Sequence, residues 1–398
     1  MKTIFPIGVW FDGRVEGINC SPGYINVPYG YDNARKYYEQ SFRDIKSIGI
    51  DIVVIPNTPP DYREVLLASA DITRVKIVLE LVEFASDSFG NEFHLRNNQM
   101  TMDEKAIEKK VIEIITPLKK HKSLMAYQLI DEPTAETFPR WAMVNKLLAK
   151  YDPDHPAFSC LCNEDELPRT SQMGTKMLVF DRYPLRYPQT PADDNFRPFG
   201  NLMEKINTHA GELPFWMVLQ SFATPNGYRY PTKEELSIMV YQSLLHNAKG
   251  IFFFLYNSYT QQENLEGLVG RDYRQLQTYE SRFIPTPTYY DVKQLAGELK
   301  RLSPLVLSLV PEKEPEIDSG YVEFRTFVHS KTKQKYLMLV NLSSVKSIEM
   351  NKVVTDKNLK SLQNVLTGEK IMVDKSGKGS VIHLTLPPGA GYIFKINS

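Results

Sequence analysis

The chain is poor in the residues that redox, metal and phosphate chemistry draw on. Three cysteines occur in 398 residues, Cys20, Cys160 and Cys162. The count is odd, and Cys160 and Cys162 sit two apart on an expected strand. All three read as buried thiols and not as a disulfide framework or a metal site. Seven histidines are present. None ends an expected strand in a position to hold a metal, and no His-x-His pair follows the first strand. A metal-assisted hydrolase is therefore disfavoured, and neither a metal nor a cofactor is expected. Charge of one sign is also missing: Lys plus Arg and Asp plus Glu number 47 each. A general nucleic-acid or anionic-membrane binder needs a basic excess. No apolar run reaches the roughly 18 residues of a membrane span. Gly8 and Gly13 do not make the glycine-rich phosphate turn of an open dinucleotide-binding sheet. The chain opens on Ile4-Phe5-Pro6-Ile7-Gly8-Val9-Trp10, a strand and not a basic segment followed by an apolar one. That fits either a cytoplasmic protein or a periplasmic or secreted one whose leader has been removed.

The composition is that of a soluble globular protein, with 42% apolar and 24% charged residues. Tyrosine (22) and phenylalanine (20) are plentiful, enough to serve both a core and a carbohydrate site. Through residue 308, strand and helix signals alternate. Strands are expected at Phe5–Phe11, Ile50–Pro56, Val75–Val82, Leu124–Ile130, Ala157–Cys162, Met177–Asp181, Phe215–Gln220 and Gly250–Tyr256. Helices are expected at Ala34–Ile48, near Tyr62–Ala70, and at Met102–Leu118, Thr137–Lys150, Arg197–His209, Thr232–Asn247 and Tyr290–Leu302. Gly49 reads as a helix stop, Thr232 with Glu235 as a capping box, and Pro304 as the end of the last helix. Eight alternations over about 300 residues predict an α/β fold, a (β/α)₈ TIM barrel, over residues 1–308. From 311 to 398 the pattern changes to short alternating strands and turns, as in Val381-Ile382-His383-Leu384-Thr385-Leu386. This predicts a small all-β sandwich.

In such a barrel the chemistry sits where strands end. Trp10 and Asp12 follow the first strand, Glu80 and Glu83 the third, and Asp131 and Glu132 the fourth. Asp181 and Tyr183 close the sixth, Gln220 the seventh, and Tyr256 and Asn257 the eighth. Carboxylates converging without a His or Cys cluster suit glycosidic cleavage. One carboxyl must protonate the leaving oxygen while an ionised one attacks or activates water.

The stretch Leu124-Met125-Ala126-Tyr127-Gln128-Leu129-Ile130-Asp131-Glu132-Pro133 carries the most information. An apolar run ends in two carboxylates and a proline. Asp131-Glu132-Pro133 resembles the Asn-Glu-Pro motif of barrel glycoside hydrolases, the broad superfamily with β-galactosidases, cellulases and β-glucanases. The resemblance implies that Glu132 is the acid/base, that Asp131 replaces the Asn contacting a sugar hydroxyl, and that Tyr183 is the tyrosine beside the nucleophile. It also implies a nucleophilic Glu ending the seventh strand, where this chain has Gln220. Three explanations stand. Asp181 supplies the second carboxylate, with Glu80 or Glu83 in reserve. Or Gln220 is an inactivating replacement. Or the chain is a non-catalytic carbohydrate binder.

The expected function is hydrolysis of a poly- or oligosaccharide. Glu132 and Asp181 are the expected catalytic pair, and Trp10, Asp12, Asp131, Tyr183, Gln220 and Tyr256 the expected substrate contacts.

Overall fold

The computed structural model describes residues 4–20, 27–85, 104–191, 196–258, 265–270, 283–318, 320–354, 359–376 and 379–397. Nine parallel strands come first: β1 Ile7–Trp10, β2 Ile52–Ile55, β3 Lys76–Glu80, β4 Leu124–Gln128, β5 Ala157–Phe158, β6 Cys160–Leu161, β7 Leu178–Arg182, β8 Phe215–Gln220 and β9 Gly250–Phe254. Their order is β5-β4-β3-β2-β1-β9-β8-β7-β6. Only Ser159 separates β5 from β6, so the two ends of that order are halves of one strand and the sheet closes on itself. The expected fifth strand is thus broken, and the expected sixth, seventh and eighth are β7, β8 and β9. The break has a local cause. The Ser159 hydroxyl accepts hydrogen bonds from the Ile130 backbone N–H (3.3 Å) and the Trp141 indole (2.6 Å), which pulls this residue out of the ladder.

Helices α1 Tyr31–Ser47, α2 Arg63–Thr73, α3 Val82–Ala85, α4 Glu104–Leu118, α5 Phe138–Tyr151, α6 Thr170–Met173, α7 Arg197–Ala210, α8 Lys233–Leu245 and α9 Pro287–Val306 are interspersed with the strands. Met102 and Asp103 of the expected fourth-strand approach helix lie outside the described residues. Gly49 follows the end of α1 at φ 93° and donates to the Lys46 carbonyl, the left-handed stop its position suggested. The Thr232–Glu235 capping box forms on both sides, with Glu235 also gripping Arg229. Pro304 does not end α9, which runs through it to Val306. The Ser303 hydroxyl bonds the Lys300 carbonyl that the missing N–H of Pro304 leaves over (3.1 Å).

Strand alternation sorts the barrel into two layers. Trp10, Ile52, Val54, Val78, Ala126, Phe158, Cys160, Val179, Trp216, Val218 and Phe252 fill the interior. Their neighbours, such as Val9, Val53, Ile77, Tyr127, Phe180, Met217 and Phe253, meet the helices. Trp216 stacks on Phe252 with centroids 5.4 Å apart, and Trp10 meets the same ring edge-on at 5.7 Å. Two glycines make room for this. A Cβ on Gly8 would lie 2.1 Å from the Phe252 ring, and one on Gly250 would lie 2.6 Å from the Trp216 ring.

Ten antiparallel strands follow: β10 Leu309–Pro311, β11 Glu316–Asp318, β12 Val322–His329, β13 Lys335–Asn341, β14 Ile348–Val354, β15 Ser361–Asn364, β16 Lys370–Met372, β17 Asp374–Ser376, β18 Gly379–Leu386 and β19 Gly391–Asn397. They form a sheet β10-β12-β13-β19-β15-β16, with β11 on β12, and a sheet β14-β18-β17. Val322, Phe324, Leu337, Leu339 and Phe394 of the first face Met350, Ile382 and Leu386 of the second. This is a two-sheet sandwich. The opposite face of the larger sheet, through Phe327, Met338, Val340 and Ile393, belongs to the main core. Helix α8 is buried almost all round because it lies between β8 and that face.

A buried ionic cluster pins the two parts together. His246 at the end of α8 lies 2.8 Å from Glu204 of α7 through Nδ1 and 2.8 Å from Glu323 of β12 through Nε2. Arg325 approaches Glu204 at 3.1 Å, and the Gln242 amide donates to Glu323 at 2.6 Å. Glu314 also contacts Glu204. Burial lowers the His246 pKa, but its two carboxylate partners outweigh this and raise it above 6.5. Glu204 is lowered to about 2 by His246 and Arg325, against its own burial. The signs follow. The His246 contribution is complete below about pH 6.5 and is lost as pH rises through the higher folded value. The Glu204 contribution is complete above about pH 4.5 and is lost as pH falls towards 2. Thermal stability should therefore be greatest between these limits and decline in alkali. His246→Gln should cost about 3 kcal/mol by removing the ion-pair partner of the buried Glu323 and should flatten the alkaline decline in a series of melts. An unchanged alkaline limb would show that the cluster does not titrate.

Candidate active site

Because the nine strands are parallel, their carboxyl ends open at one mouth. Interior parity carries Glu80, Gln128, Cys160, Asp181 and Gln220 to that end, each two or four residues beyond an interior apolar side chain. Past β4 the chain runs through buried Leu129 and Ile130, then turns at Glu132. Glu132 has φ 50°, and its N–H donates to the Cys160 carbonyl at 2.9 Å. Left-handed backbone at a glutamate costs on the order of 1 kcal/mol, and here it throws the side chain towards β6 and β7.

Three side chains converge there. One carboxylate oxygen of Glu132, one of Asp181 and Cys162 Sγ all lie within 4.8 Å of one another. Among the described residues this is the group of His, Cys, Asp and Glu side chains with the spacing of a metal site. Glu132 is exposed, Cys162 half-buried and Asp181 buried. Asp181 is 6% exposed, and its Oδ1 has no hydrogen-bond partner. Burial, then the charge of Glu132, pushes its pKa up to about 7, while Tyr183 and Cys160 pull it down. Burial and the same two carboxylates push the Cys162 thiol up to about 12. Asp131 is half-buried and accepts from the Gln128 amide at 3.0 Å. The Gln128 side chain is fully buried, and its Oε1 has no partner.

Tyr183 is half-buried beside this cluster. It packs on Phe222 (5.0 Å), Phe254 (5.5 Å) and Tyr228 (5.8 Å). Arg186 lies over the Tyr228 ring at 4.4 Å.

The other expected contacts are placed elsewhere. Trp10 is 2% exposed and locked in the interior, with no face left for a sugar. Asp12 is buried, ion-paired with Arg14, and accepts from the Arg14 N–H at 2.9 Å. Asn257 ties its backbone to the last strand through bonds of 2.8 and 3.0 Å. Alternation breaks once β9 ends: Leu255 joins the interior and Tyr256 the outer layer, its hydroxyl donating to Asp44 at 2.7 Å. Glu83 is held by both terminal nitrogens of Arg63 (2.7 and 2.6 Å), and Glu80 accepts from the Asn57 N–H at 2.8 Å.

Gln220 is fully buried and used by the fold. Its Oε1 accepts from the Leu185 N–H (2.9 Å), and its Nε2 donates to the carbonyls of Leu185 (2.9 Å) and Arg229 (2.8 Å). The amide pins the loops after β7 and β8 to the barrel. A sugar contact at Gln220 is corrected by this geometry, as are those at Trp10 and Tyr256. Cys162 and Gln128 were not singled out by sequence. A thiol on a strand reads as core, and an amide in an apolar run carries no chemical signature. The i, i+2 pairing of Cys162 with the interior Cys160 is the one signal that pointed inward.

No protein-family model and no curated protein matches the sequence. Solved structures do match its shape. An α-amylase from Anoxybacillus superposes with TM-score 0.56 at 13% identity, over 98% of this chain and 97% of that one. A family 5 glycoside hydrolase from Bacteroides vulgatus gives TM-score 0.58 at 10% identity, over 98% and 89%. A β-galacturonidase from Eisenbergiella tayi, bound to galacturonate, gives 0.50 at 16% over 73% of this chain, which spans 50% of that structure's length. The likeness is one of fold, and this chain is a (β/α)₈ barrel with an added β domain.

Proposed function

We propose that this protein is a retaining glycosidase acting on O-glycosidic bonds of an oligo- or polysaccharide. The observation that carries the reading is the approach of Glu132 and Asp181 to within 4.8 Å at the barrel mouth. Retaining enzymes hold their carboxyl groups about 5–5.5 Å apart, and inverting ones about 6.5–9.5 Å, to leave room for water. Oxygens of the two carboxyls within 4.8 Å leave little room for an intervening water, which favours the first.

Burial divides the labour. A carboxyl cut off from water holds its proton, as a donor must. Asp181 is the buried one and is assigned as proton donor; Glu132 is the exposed one and is assigned as nucleophile. This reverses the role the resemblance implied for Glu132. In the first step the Asp181 O–H protonates the leaving oxygen as the bond from C1 to that oxygen breaks, and a Glu132 oxygen bonds C1. In the second, Asp181 takes a proton from water, the hydroxide oxygen bonds C1, and Glu132 leaves as carboxylate. Asp131, oriented by Gln128, is assigned to a sugar hydroxyl. The Tyr183, Phe222, Tyr228 and Phe254 group offers apolar ring surface beside the pair.

The test is a panel of aryl glycosides and oligosaccharides with NMR of the first-formed sugar. Hydrolysis with retained anomeric configuration is expected. Inversion would overturn the retaining assignment. Sugar binding without cleavage across the panel would make the chain a carbohydrate binder. Gln220 was the feature favouring that outcome, and its bonds to the loops after β7 and β8 give the amide a task in the fold.

A further inference from the structure

Cys162 has no task in this chemistry, yet it completes a donor set. Its Sγ and an oxygen each from Glu132 and Asp181 come from three separate segments and lie within 4.8 Å of one another. Asp181 adds an independent sign. It is 6% exposed, and its Oδ1 finds no hydrogen-bond donor. A buried carboxylate oxygen left unbonded is costly, and a cation removes that cost. We infer that Glu132, Cys162 and Asp181 form a binding site for a borderline-soft divalent cation of the zinc and cadmium class, whose occupancy blocks the carboxylate pair.

The donor types set the selectivity. One thiolate with two carboxylates suits Zn²⁺ or Cd²⁺, whereas Mg²⁺ and Ca²⁺ take oxygen ligands only. With Zn–O about 2.1 Å and Zn–S about 2.3 Å, tetrahedral ligands sit about 3.4–3.6 Å apart. Closing by about 1 Å from the present limit is within reach of the exposed Glu132 side chain. Water takes the fourth position. Binding displaces the thiol proton and the proton held by Asp181 to solvent, so no oxidant or reductant is needed.

Cadmium alone, titrated into metal-free protein, tests this. A thiolate-to-cadmium charge-transfer band should grow and saturate at one equivalent. It should vanish in Cys162→Ala and persist in Cys160→Ala. Asp181→Asn and Glu132→Gln should each weaken binding by ~10-fold or more, with thermal melts confirming that the variants are folded. Absence of the band in the native protein, its survival in Cys162→Ala, or unchanged affinity in both carboxylate variants overturns the inference. The readout is absorbance, so it stands or falls separately from the glycosidase reading. Inhibition of hydrolysis by cadmium, reversed by chelation, is the result that would join the two.

Discussion

Gln220→Glu is expected to damage the fold and to create no activity. The side chain is buried, and its amide N–H groups serve the carbonyls of Leu185 and Arg229 at 2.9 and 2.8 Å. A carboxylate there sets oxygen against oxygen twice and buries a charge. Leaving buried groups unpaired in this way costs about 3–5 kcal/mol. For a chain of this size the melting temperature should drop by on the order of 10 °C. The loops after β7 and β8 should loosen first, which hydrogen exchange would show. The idea sinks if Gln220→Glu melts like the native protein and hydrolyses glycosides at least ~10-fold faster. The chain would then be a barrel enzyme with a disabled seventh strand, and Asp181 would lose its assignment.

Asp181→Asn and Glu132→Gln are expected to abolish most hydrolysis, in distinguishable ways. Loss of a general acid costs ~10²–10⁴-fold in turnover on poor leaving groups. It should cost far less on dinitrophenyl glycosides, whose leaving group needs no proton. With Asp181 as donor, Asp181→Asn should show that contrast, and added azide should yield a glycosyl azide of retained configuration. With Glu132 as nucleophile, Glu132→Gln should be inactive on both substrate types, and a smaller Glu132→Gly should yield the azide of inverted configuration. The exchanged pattern would restore the acid role to Glu132. Full activity of either variant would remove the pair from the mechanism. Both replacements keep the size of the side chain, so the barrel should stand even though Asp181 bonds Tyr183 and Cys160 and Glu132 bonds Cys162.

The barrel and the β domain were legible because periodicity is local. Eight apolar strands alternating with amphipathic helices admit few folds, and the switch to two-residue alternation after Pro311 marks a change of architecture. The Gly49 stop and the Thr232–Glu235 capping box were equally readable, since each rests on backbone chemistry within a few residues. β14, Ile348-Glu349-Met350-Asn351-Lys352-Val353-Val354, is polar enough to read as loop, and only its pairing with β18 makes it a strand.

Glu132 and Asp181 were also readable as candidates, because carboxylates ending buried strands are conspicuous. Their proximity was not. It depends on a left-handed turn at Glu132 and on the closure of the sheet through the broken strand at Ser159. The same holds for the residues that proved to be scaffold. Sequence parity extended β9 to Tyr256, but the strand ends at Phe254 and the ring turns outward to Asp44. Gln220 stood where a nucleophile was expected, and only the facing loop carbonyls reveal why an amide is there. Residue type and local pattern determine which elements form and which side chains are capable of acid chemistry. Which of those side chains share a space, and which is kept from water and so holds the proton, is set by contacts between segments far apart in the chain, and these exist only once the barrel has closed.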